Sequence, residues 1–155
     1  MSELVMRRKA SDNTYLHKDF HGALSVGLEF LRKNYGEDAV RDYLRQFTKS
    51  YFAPLRQELV TEGLSALARY FRHVYETEGE TVEIKQSENE LVVKVAACPA
   101  VTHMRKQNYS VCPLFYETTK TVNDALCEDT PYAAELVEYD EQTGGSVQRF
   151  WRISA

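Results

Sequence analysis

The sequence predicts an α+β domain in which three N-terminal helices pack on a small antiparallel sheet of two hairpins, with two further helices between the hairpins. Three observations carry that expectation. Apolar residues recur every three or four positions from Leu16 to Tyr75, the period falls to two just after Gly79, and a Gly144-Gly145 pair separates two later alternating stretches.

Ser11, Asp12, Asn13 and Thr14 offer N-caps ahead of Leu16, Phe20, Leu24, Gly27 and Leu31, which predicts a first helix from about Leu16 to near Gly36. Val40, Tyr43, Leu44, Phe47 and Tyr51 predict a second, from about Glu37 up to Pro54. Leu59, Gly63, Leu64, Leu67, Phe71, Val74 and Tyr75 predict a third, from about Arg56 up to Gly79. Val82 and Ile84, then Leu91, Val93 and Val95, alternate with neighbours on the opposite face around a Ser87-Glu88-Asn89 turn, the pattern of a hairpin. A short helix is expected at Pro99 and a longer one at Pro113. The stretches 134–139 and 147–153 form the second hairpin, around a loop whose two glycines supply positive φ.

With 155 residues, 43% hydrophobic and 12% aromatic, the chain suffices for one core, so a single domain is expected over 1–155, with 1–11 as a mobile or loosely docked arm. The 19 basic and 23 acidic residues give a net charge of −4 without a basic cluster, which argues against nucleic acid as a partner. Arg7, Arg8 and Lys9 are not followed by an apolar run, and no later stretch approaches the roughly 20 apolar residues of a membrane span. Neither a secretory signal nor a membrane partner is expected. Cys98, Cys112 and Cys127 are an odd number of cysteines, which favours free thiols and a reducing, cytoplasmic location. Homo-oligomerisation stays open.

Chemistry concentrates at Cys98-Pro99 and Cys112-Pro113, each where a helix should start. Proline suits the first helical position, which puts each cysteine at the N-cap, where free N–H groups and the helix dipole favour a thiolate. The plain alternative is a helix start with a small buried cap. His17 and His21, four apart, share a face with Leu24 and Leu28, either as acid and base or as a satisfied pair at the rim of the core. His103 follows Cys98 by five residues, as its base or as a surface histidine. Glu117, beside Tyr116 and one turn past Cys112, is placed to orient a histidine or hold a substrate amine. The short Cys-x-x-Cys pairing of zinc sites is missing, as are a phosphate loop and a Gly-x-Ser-x-Gly elbow, so no metal or other cofactor is expected.

With these residues in view, the segment from Cys98 to Phe150 resembles the L-2-amino-thiazoline-4-carboxylic acid hydrolases. The resemblance lies in Cys98-Pro99, in Cys112-Pro113-Leu114-Phe115-Tyr116-Glu117-Thr118, in Thr121-Val122-Asn123 and in Val147-Gln148-Arg149-Phe150, with a fainter echo in the run from Tyr15 to His21. Where members often carry further cysteines, this chain has Tyr116 and a position near Val147 or Gln148. The resemblance implies hydrolytic opening of a cyclic C–N or C–S bond in a small acid. Cys98 or Cys112 would be the nucleophile, His17, His21 or His103 the base, and Tyr116, Glu117 and Arg149 the contacts to substrate. The outline is also similar to sensor domains related to 4-vinyl reductases and haem-nitric-oxide binding domains, which implies the alternative of a non-catalytic small-molecule-binding or sensory domain.

Overall fold

A computed structural model describes residues 19–154. His17 and the expected N-terminal arm lie outside the described residues. The chain forms α1 (Asp19–Tyr35), α2 (Glu37–Tyr51), α3 (Ala53–Glu62), α4 (Leu64–Glu78), β1 (Val82–Gln86), β2 (Glu90–Val95), α5 (Pro99–Lys106), α6 (Glu117–Cys127), β3 (Tyr132–Tyr139) and β4 (Ser146–Arg152). It is the α+β arrangement expected from the periodicity, helices first and then two hairpins. Among the described residues, no helix is long and apolar enough to cross a membrane.

The third N-terminal helix is divided into α3 and α4 at Gly63. Its φ of +76° lies outside the helical basin, and its N–H caps Leu59 O at 3.0 Å. The Tyr132 hydroxyl lies 3.0 Å from where a Cβ on Gly63 would sit, so the break is also a close approach to the sheet. Leu55 and Leu59 before the break, and Leu64, Leu67 and Phe71 after it, bury in one core.

All strand pairs are antiparallel in the order β1-β2-β4-β3, so the two hairpins join through β2 and β4, with Leu91 opposite Phe150 and Val93 opposite Gln148. Alternation sends Leu91, Val93, Val95, Gln148 and Phe150 inward. It sends Lys94, Arg149 and Trp151 to the other face. Register shifts between Leu136 and Glu138, and Val137 is left exposed.

Two apolar clusters fill the interior. One joins α3, α4 and the end of α6 to the sheet, and includes Leu59, Leu67, Leu91, Val93 and Phe150. The other joins α1, α2 and α5 to residues 112–115, around Leu28, Leu44, Val101 and Met104. Val122 of α6 packs against both.

On α1 the buried side differs from the series Phe20, Leu24, Gly27 and Leu31. Ser25 and Leu28 are buried, His21, Leu24 and Leu31 are half-buried, and Phe20 and Gly27 face outward. The histidine side of the helix is therefore the core side. Regular helix after Pro113 begins only at Glu117. Residues 113–116 form successive turns, with Phe115 N donating to Cys112 O at 2.9 Å and Glu117 N to Leu114 O at 2.9 Å. Leu114 and Phe115, adjacent in sequence, both enter the second core, and tight turns accommodate what one helical face would not.

Candidate functional site

Cys98 holds the N-cap position of α5, in extended conformation (φ −81°, ψ 124°), with Pro99 opening the helix, as the dipeptide suggests. The loop between β3 and β4 folds over it. Cys98 N donates to Thr143 O at 2.9 Å, and a Cβ on Gly144 would lie 2.5 Å from Cys98 Cβ. Desolvation pushes the Cys98 thiol above its ordinary value and outweighs the Val101 and Ala100 N–H groups at the start of α5, which favour a thiolate. That direction is opposite to the one expected from the helix dipole alone. Tyr75 of α4 and Tyr139 of β3 stand close enough that a charge on Cys98 would oppose their own ionisation. Burial pushes both up, Tyr139 to about 12.

Cys112 caps no α-helix, because Tyr116 holds the N-cap position of α6. The loop carrying Cys112 is tied to α1 instead: Cys112 N donates to Ser25 Oγ at 2.8 Å, and its thiol donates to Glu29 Oε2 at 3.4 Å. Arg32, at 2.8 Å, and Lys33, at 3.2 Å, flank the same carboxylate. Hydrogen bonding from Arg32 above all holds Glu29 down at about 2. Burial, then Glu29 itself, pushes the Cys112 thiol up. Cys127, the last residue of α6, is pushed up to about 12, by burial first and then by Asp124.

His21 and His103 come together where α1 meets α5. Burial lowers the pKa of His21, and the neighbouring His103 adds to the effect. The rings of His103 and Tyr109 meet edge to face at 6.1 Å, and Tyr109 covers Gly22 of α1. Ser25, Glu29 and Arg32 surround Cys112, whereas backbone groups, Tyr75, Tyr139, Glu78 and Glu80 surround Cys98.

Glu117, 2% exposed, accepts from Arg41 Nε at 2.9 Å and from Thr121 Oγ1 at 2.7 Å, which ties α6 to α2. Tyr116 lies beside this pair, its ring 6.1 Å from that of Tyr139. Arg149 is on the far side of the sheet from both cysteines, 2.7 Å from Glu90 and with its guanidinium over the Trp151 ring at 4.9 Å.

Sequence reasoning missed a polar seam between the two apolar clusters. Asn123 Nδ2 donates to Gln148 Oε1 at 2.7 Å, Gln148 Nε2 donates to Ser146 Oγ at 3.0 Å, and Tyr75 stands beside Gln148. Asn123, Ser146 and Gln148 are all buried. The signal available in sequence is that Ser146 and Gln148 share the inward parity of Phe150. The seam ends at Tyr139 and Cys98. Beyond it, a depression of about 250 Å³ opens at the strand ends, lined by Lys94, Ala96, Glu138, Tyr139, Asp140 and Thr143 among others.

Lys94 pairs with Val147 across β2 and β4, and Val147 pairs with Glu138 across β4 and β3, so opposite charges flank one valine on the outer face. At the usual spacing of adjacent strands, the backbones of Lys94 and Glu138 are roughly 10 Å apart. The arrangement offers a cation, anions and a tyrosine around a shallow floor, with a protonated thiol behind. No family model matches the chain, and no characterised protein matches it in sequence, so the resemblance rests on the residues that carry it.

Proposed function

We propose that the protein is a small-molecule-binding domain whose ligand is a small amino-acid-like zwitterion, seated on the outer face of the sheet in the depression between Lys94 and Glu138 at the strand ends. The observation that carries this reading is the row Lys94, Val147, Glu138. An α-carboxylate against the lysine and an amine against the glutamate or Asp140 span the valine between them. Tyr139 and Thr143 lie at the end of the depression nearest Cys98, and the polarity of that corner suits a ring heteroatom. The protonated state favoured at Cys98 and Cys112 supports recognition over nucleophilic attack.

Calorimetric titration with cyclic amino-acid derivatives, aminothiazoline carboxylate included, tests it. Binding is expected, weakened about tenfold or more by Lys94→Gln and by Glu138→Gln. Unchanged affinity in both variants, or no binding to the wild type, overturns it.

A second reading, hydrolysis with Cys98 as nucleophile, is favoured by one feature: Cys98 holds the N-cap position of α5, where the Val101 and Ala100 N–H groups favour a thiolate. The Cys98 sulfur would attack the ring carbon, the thiol proton would pass to the leaving nitrogen or sulfur as the ring C–N or C–S bond opens, and water would release the product. Mass spectrometry of the ligand after incubation separates the two. A ligand returned unchanged supports binding alone, whereas turnover that Cys98→Ala abolishes supports hydrolysis.

A further inference from the structure

We propose that two copies of the chain pair through the outward face of α1, antiparallel about a two-fold axis passing near the level of Ser25. This helix is apolar on both sides. Opposite the buried Ser25 and Leu28, it exposes Phe20 (54%), Ala23, Val26 (69%), Gly27 and Phe30 (57%), with the Tyr35 ring against Phe30 at 6.2 Å. Positions 20, 23, 27 and 30 step by three, four and three, the spacing of a helix-packing seam.

The occupant that fits this seam is the seam itself. Phe20 and Phe30 stand five positions either side of Ser25, and Ala23 and Gly27 stand two either side. An antiparallel two-fold therefore lays each phenylalanine against its counterpart at the other end and sets Ala23 over Gly27, where small residues let the backbones approach. The stretch from Phe20 to Leu28 contains no Asp, Glu, Lys or Arg, so pairing desolvates no formal charge across its centre. Antiparallel helices also oppose their dipoles favourably. Phe20, Val26, Phe30 and Tyr35 together expose roughly 500 Å² per copy, so a pair that buries them whole covers at most about 1,000 Å², the lower bound for a specific interface. The open face of the sheet is a poorer match, since Glu83, Lys85, Glu90, Lys94, Glu135 and Arg149 are spread across it.

Sedimentation of the full chain decides the matter, with wild type, Gly27→Glu, Ala23→Glu and, on the open sheet face, Val92→Lys. A side chain at position 27 meets nothing within 4 Å in the monomer, and glutamate is a better helix former than glycine, so Gly27→Glu should keep the wild-type far-ultraviolet circular dichroism. The expected result is a dimeric wild type, monomeric Gly27→Glu and Ala23→Glu, and a dimeric Val92→Lys. A wild type that sediments as a monomer up to its solubility limit overturns the proposal, and would be the outcome if residues preceding α1 cover the seam within one chain. A dimer that survives both α1 substitutions overturns it equally.

Discussion

Gly144 and Cys98 touch backbone to side chain: a methyl group added to the glycine would lie 2.5 Å from the cysteine's Cβ and 2.7 Å from Val101 Cγ2. With φ at +68°, the position also disfavours any side chain by conformation. Gly144→Ala should therefore cost about 2–4 kcal/mol, clash and strain together, read as a fall in the denaturant midpoint.

Glu117→Ala removes a buried carboxylate from between Arg41 and Thr121. The loss should be about 2–4 kcal/mol, discounted from the full cost of a broken buried pair because Arg41 is one-third exposed and retains Glu37 and Asp38. Chemical denaturation checks it. A loss under about 0.5 kcal/mol would mean that the pair does not tie α6 to α2.

His21 should make stability depend on pH near neutrality. Its folded pKa lies below the ordinary 6.5, so between the two values the unfolded chain binds more protons and the folded state weakens as pH falls. Thermal midpoints followed from pH 8 to 5 should decline in the wild type and flatten in His21→Gln.

Glu29 acts in a lower window with the same sign. Held at about 2 when folded, it contributes stability that is present above the ordinary carboxylate range and is lost as pH falls towards 2. Glu29→Gln should flatten that part of the acid limb and free the Cys112 thiol from its carboxylate acceptor.

The thiols should label slowly at neutral pH, Cys98 ahead of the buried Cys112 and Cys127. With Cys127 pushed up to about 12, the folded state holds its proton where the unfolded chain has lost it, so this group's contribution to stability falls as pH rises from about 8.5 towards 12. Peptide mapping after alkylation at pH 7.5 and 9.5 checks the order, and fastest labelling at Cys127 would contradict it.

How legible each feature was depends on how local its cause is. Alternation at Val82, Ile84, Leu91 and Val93 reports a one-sided sheet directly, and it also puts Arg149 opposite in direction to Phe150. The break at Gly63 escapes the pattern because Leu59, Leu64 and Leu67 keep helical spacing across it, and the sign of one φ angle leaves no trace in periodicity. On α1 two apolar stripes compete, and only packing against α5 selects the one with Leu28. The helix expected at Pro113 fails because Leu114 and Phe115 must both enter the second core. Gln148 is visible as a polar residue at an inward position, but its partner Asn123 lies 25 residues away and Tyr75 further still. The protonated thiols follow from desolvation, which is a property of the assembled core and not of the Cys-Pro dipeptide.

The single seam between the hairpins, β2 against β4, has a kinetic meaning. Each hairpin closes over a short loop and can form on the microsecond scale, whereas pairing Val95 with Ser146 encloses all of α5, α6 and β3. That closure orders a long stretch of chain before Leu91 and Phe150 can meet, and its entropic cost precedes the contacts that reward it. Docking of the hairpins should therefore limit the folding rate, so that Val93→Ala, at the β2–β4 seam, slows refolding, and a destabilising change in the Ser87–Asn89 turn, whose hairpin is already closed at that barrier, also slows refolding and leaves unfolding nearly unchanged.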